Sequence, residues 1–148
     1  MDKVAKKAAH QPVMSQAELG AYVRQVFPQA DTYGWSVETV APGEISVGMK
    51  VSPNELRPGG TISGPTMFAL ADITAYILIL AHIGKVELAV TTSLNINFLN
   101  KPPLGDLVAH GRLIKLGRRL AICEIHVHSR VDDTLVAQAT ATYSIPPR

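Results

Sequence analysis

The sequence predicts an α+β fold: a curved antiparallel sheet wrapped around one long, buried central helix. Three patterns predict it. The run from Pro65 to His82 is apolar on almost every side, which suits complete burial better than a surface position. From Leu88 onward, apolar and polar residues alternate in long segments. Turn-forming pairs at Pro42-Gly43, Gly117-Arg118 and Asp132-Asp133 fold such segments back on one another.

The elements follow in order. Residues 1–14 show no periodicity and read as a mobile or loosely docked tail, leaving 15–148 as a single domain. Ser15-Gln16-Ala17-Glu18 is a capping box that starts a helix carrying Leu19, Tyr22, Val23, Val26 and Phe27 at helical spacing, and Pro28 stops it. In "GEISVGMKVS", Ile45, Val47, Met49 and Val51 alternate with polar or small residues, and the preceding "GWSVETVAPG" is the hairpin partner. After the apolar helix comes a long strand. Strict alternation puts Leu88, Val90, Thr92, Leu94, Ile96 and Phe98 on one face and Ala89, Thr91, Ser93, Asn95 and Asn97 on the other. Lys101-Pro102-Pro103 ends it, and strands near 106–116, 119–130 and 135–145 complete a meander. So two-faced a strand needs cover at its edge, which predicts a homodimer.

A formal charge of +2, from 14 basic and 12 acidic side chains, offers no basic stripe for nucleic acid. The lysines near the N-terminus precede no apolar stretch of the kind a secretory signal carries, and the lone Cys123 fits a reducing compartment, so the expected location is cytoplasmic. The 65–82 run approaches membrane length, yet Asp72, Thr74 and Tyr76 within it argue for a protein interior over a bilayer.

Asp72 is the residue that asks for a function. An unpaired carboxylate inside such a helix costs several kcal/mol unless it meets water or donors, so it should open onto a pocket at a subunit interface. At the helix start, Ser63-Gly64-Pro65 offers backbone N–H groups at the positive end of the dipole, and Gly64 allows close approach. A carboxylate and oriented N–H donors are what carbonyl hydrolysis requires. His126 and His128 share a strand side that His110 could join, but ligand spacing for a metal is lacking, and a solvated face accounts for them. Cys123 alternates with apolar neighbours as a core residue does.

In order, "SGPTMFALAD", "TTSLNINFLNKP" and "GRLIKLGRRLAICEIHV" resemble the hotdog-fold acyl-CoA thioesterases, in the branch similar to phenylacetate-pathway (PaaI-like) enzymes. The likeness covers roughly residues 35–145. It implies homodimers, often paired into tetramers, that hydrolyse acyl-CoA without metal or other cofactor. The family's helix opens with His-Gly-Gly and carries an acid nine positions after the histidine. Here that spacing runs from Ser63 to Asp72, which implies Asp72 as general base or nucleophile and Gly64 as oxyanion donor, with Ser63 in the histidine's place. It also implies a water-placing hydroxyl at Thr91, or Thr92 behind it, and an upstream asparagine, for which Asn54 is the candidate. Lys115, Arg118 and Arg119 would meet the phosphates of coenzyme A, or simply form a soluble turn. Two other readings stand beside hydrolysis: a non-catalytic acyl-CoA or small-ligand binding dimer, and an acyl-thioester dehydratase or hydratase. The latter needs a histidine paired with the acid, and the helix offers only His82.

Overall fold

The apolar run forms the helix Gly64–Ile83 in the structure, a computed structural model that describes residues 10–147. An earlier helix, α1, spans Gln16–Val26, so the long one is α2. The strands are β1 (Trp35–Ala41), β2 (Glu44–Met49), β3 (Val90–Phe98), β4 (Leu107–Leu116), β5 (Leu120–Ser129) and β6 (Leu135–Ser144). Among the described residues they form one antiparallel sheet in the order β1-β2-β4-β5-β6-β3. This is the expected α+β architecture.

Local chemistry explains the ends. Ser15 caps α1 in the reciprocal capping box with Glu18, and Pro28 diverts the chain into a 3₁₀ turn, Pro28–Tyr33, that the periodicity did not announce. The sheet curls around α2, whose Leu70, Ala71, Ala75, Ile77, Leu78, Ile79, Leu80 and Ala81 have no exposed surface. It meets Ala121, Cys123, Ile125 and Val127 of β5 and Ala137, Ala139 and Ala141 of β6, all likewise fully buried. The row of alanines leaves room for the helix. Gly111 does the same on β4, where an added Cβ would lie 3.2 Å from Leu78 Cδ2 and 3.1 Å from Ile125 Cδ1. By length and composition α2 could cross a membrane, but its place is the core of this domain.

Two expectations change. Residues 1–9 of the predicted tail lie outside the described residues; at its end Val13 N–H donates to the Ala81 carbonyl at 2.7 Å and Met14 is buried, so packing starts before Ser15. On β3, strict alternation fails. Thr91 pairs with Tyr143 and Leu94 with Ala141, and the register slips between Thr91 and Ser93. This bulge turns Thr91 onto the same inward face as Leu94 and Ile96, where simple alternation placed it on the opposite one. β3 also begins at Val90, two residues later than expected, leaving Leu88 in the preceding turn.

Candidate active site

One stripe of α2 escapes burial. Pro65, Phe68, Ala69 and Asp72 recur at i, i+3, i+4 and i+7, and they are the helix positions left exposed or half-buried between Pro65 and Asp72. With Tyr33, Gly64, Ile96 and Phe98 they line a groove of about 570 Å³. Asp72 also borders a cavity of about 330 Å³ walled by Phe27, Tyr76, Thr91 and Tyr143. Beyond Gly64 a third hollow, about 390 Å³, is bounded by Arg57, Met67, Phe98 and Lys101. A concave surface thus runs along the β3 edge from an aromatic end, past the carboxylate and the helix start, to a cationic end.

The charge of Asp72 is met by hydroxyls. Thr91 Oγ1 and Tyr143 Oη each donate to Asp72 Oδ1 at 2.7 Å, and Tyr143 also reaches the Asp72 carbonyl at 3.1 Å. The bulge is what brings Thr91 there. Tyr143 is 2% exposed, and burial together with the adjacent carboxylate pushes its hydroxyl far above the usual phenol range, so it stays a donor. Its ring stacks on Tyr76, centroids 6.3 Å apart, and Tyr76 is fixed by donating to the Glu87 carbonyl at 2.9 Å. Sequence patterning missed Tyr143 because it continues an inward row of Leu135, Ala137, Ala139 and Ala141 and reads as core.

Gly64 is the first residue of α2, so its N–H has no acceptor within the helix. The Phe98 ring lies over it, and a Cβ there would sit 3.3 Å from Phe98 Cζ. Ser63 is the N-cap: its Oγ accepts from Thr66 N–H at 3.3 Å and lies 2.9 Å from Thr66 Oγ1. The hydroxyl in the histidine's position therefore serves the helix itself. Asn54 is exposed in a short 3₁₀ turn, Pro53–Glu55. Residues 56–62 separate it from the motif in sequence but fold into a small hairpin, with Arg57 N–H donating to Thr61 and Ser63 N–H to Glu55. The insertion thereby returns the chain beside Ser63.

His82 lies ten residues beyond Asp72, about 15 Å along the helix. Its Nε2 accepts from Gly43 N–H at 2.9 Å and its Nδ1 meets the Leu78 carbonyl at 2.9 Å, so both ring nitrogens are spent pinning the β1–β2 turn to α2. Lys115, Arg118 and Arg119 lie at the β4–β5 hairpin. There the register aligns Ala121 with Tyr143 and Tyr143 with Thr91, placing the hairpin at the Asp72 end of the sheet. On the outer face His126 bonds Glu124 at 3.0 Å while His110 and His128 rings meet edge to face at 5.6 Å. Burial pushes the Cys123 thiol up to about 12.

A curved antiparallel sheet wrapped around one long central helix, with a held carboxylate on the helix's open stripe, is the hotdog architecture. Residues 59–136 match the sequence model of the thioesterase superfamily, more than half of the chain, and the chain belongs to that family. A crystal structure of a candidate thioesterase from Silicibacter sp. TM1040 is 47% identical with TM-score 0.85, covering 94% of this chain and 96% of that one. The phenylacetic acid degradation protein PaaI from Thermus thermophilus, solved as a point variant, is 28% identical with TM-score 0.71 over 80% of this chain and 99% of its own. Human acyl-coenzyme A thioesterase 13 is 27% identical over 106 residues, 70% of this chain and 74% of that protein. The PaaI-like resemblance therefore holds.

Proposed function

We propose that the chain hydrolyses an acyl-CoA thioester to the free acid and coenzyme A. The observation that carries this reading is Asp72, a carboxylate fixed by two hydroxyls and opening onto a groove that continues to the free N–H of Gly64. The Gly64 N–H receives the thioester oxygen as it becomes negative, and Asp72 either takes a proton from the attacking water or adds to the carbonyl carbon itself. The two routes use the same residues.

Distance supports dividing these roles between two chains. Eight residues of helix separate Gly64 from Asp72 by about 12 Å, whereas groups acting on one carbonyl must each come within about 3–3.5 Å of it. Within one chain the acid and the oxyanion donor are too far apart to act on the same carbonyl. β3 is an edge strand carrying exposed Val90 and Phe98, with Phe68 exposed beside it. Gly64 touches Phe98 at one end of β3, and Asp72 touches Thr91 at the other. Antiparallel pairing of two copies of β3 about their midpoint exchanges the ends, bringing Gly64 of one protomer to Asp72 of the partner subunit. We take the working unit to be this homodimer, with coenzyme A phosphates held by Lys115, Arg118 and Arg119 at the Asp72 end.

The acid–histidine pair of a dehydratase is not formed, because His82 is remote and engaged. The test is free-thiol release from a panel of acyl-CoA compounds by wild type and Asp72→Asn. A loss of about a hundred-fold or more in the variant supports the reading. Equal rates remove Asp72 from the chemistry, and tight binding without release across the panel favours a binding-only dimer.

A further inference from the structure

We propose that Tyr143 is a positioning residue which, together with Thr91, clamps one oxygen of Asp72 and so selects the other as the reacting atom; the proposal rests on the thioesterase reading above. Both hydroxyl bonds fall on Oδ1, at 2.7 Å each, and among the described residues no protein donor reaches Oδ2. Rotation of the carboxylate about its Cβ–Cγ bond would break both bonds at once. Oδ1 is thereby tied to the sheet, which leaves Oδ2 as the oxygen without a protein donor among the described residues.

The clamp is built into three elements. Thr91 and Tyr143 are direct cross-strand partners, and the bulge after Thr91 turns its side chain to the same face as Tyr143. The second bond from Tyr143, to the Asp72 carbonyl at 3.1 Å, fixes its hydroxyl to the turn of α2 that carries the acid. Stacking on Tyr76 holds the ring from the side. Burial and the adjacent carboxylate raise the Tyr143 hydroxyl's hold on its proton, in keeping with its place as a donor to Asp72. This also settles what the Thr91 proton does: it is committed to Asp72, and Thr91 could contact a water only as an acceptor.

Tyr143→Phe removes the hydroxyl and keeps the ring against Tyr76. Each of Tyr143→Phe and Thr91→Val should lower kcat about ten- to a hundred-fold, the worth of one hydrogen bond to a charged group, with KM little changed. Thr91→Ser should keep most of kcat. Packing alone would predict none of these. An unaltered kcat in Tyr143→Phe would overturn the clamp. If the wild type turns over no acyl-CoA, the functional reading falls by itself. The chemical shift of the ¹³C-labelled Asp72 carboxyl in the full-length protein still decides the clamp: a shift changed in Tyr143→Phe supports it, and an identical one defeats it.

Discussion

Mixing two inactive variants tests whether the site is shared between chains. Asp72→Asn keeps the Gly64 N–H but removes the acid. Gly64→Pro keeps the acid but removes the N–H, at a first helical position where proline is tolerated. Its new Cβ falls 3.3 Å from Phe98 Cζ, and that half-exposed ring has room to give. Each homodimer should lose at least about a hundred-fold of activity, by loss of the base or of an oxyanion donor. In a mixed dimer one of the two sites joins an intact Gly64 to an intact Asp72 and the other has neither. Random re-pairing after partial denaturation makes half the dimers mixed, so the mixture should regain about a quarter of wild-type activity, well above the residue left by either parent. The assay is thiol release before and after re-pairing, with mass spectrometry of the intact dimers to confirm exchange and circular dichroism to confirm that both variants fold. Confirmed mixed dimers with no recovered activity would refute the shared site and, with it, the roughly 12 Å argument that assigns the two groups to different chains.

Ser63→Ala should lower stability by about 1 kcal/mol through loss of the α2 cap, read from the midpoint of urea unfolding, and Ser63→Gly by only a few tenths. Burial lowers the proton affinity of His82, and burial with His128 and Arg130 lowers that of His110, so just below the ordinary imidazole value of 6.5 the unfolded chain takes up protons that the native state refuses. Stability should therefore be complete above that value and decline as pH falls through it, and His82→Gln should flatten the decline measured by thermal melts between about pH 7 and 5. Reversing charge at Arg118 and Arg119 should raise KM for acyl-CoA but leave an N-acetylcysteamine thioester unaffected, since only the former carries the nucleotide phosphates. The buried Cys123, its thiol raised to about 12, should resist aromatic disulfide reagents in the folded protein and react once per chain in guanidinium.

Most of the fold was legible because its information is local. The capping box at Ser15, the period-two strands and the apolar monotony of α2 each dictate their own conformation, and the Pro42-Gly43 turn fixes which strands meet first. The site was legible only in part, for a definite reason. Asp72 announced itself as a charge where a charge is costly, and Gly64 as a glycine at a helix start, but both signals are one-dimensional. Tyr143 lies 71 residues from Asp72 in sequence and belongs to an inward row of alanines, so nothing local distinguishes it from core. Thr91 was named through the family resemblance, while alternation set it on the outer face, because a period-two pattern cannot foresee a bulge. Without the slip between Thr91 and Ser93, Thr91 would face away from α2 and Thr92 would stand opposite Tyr143 in its place. The irregular register thus decides which of two adjacent threonines meets the half-buried carboxylate, a choice that the alternating pattern alone makes the other way.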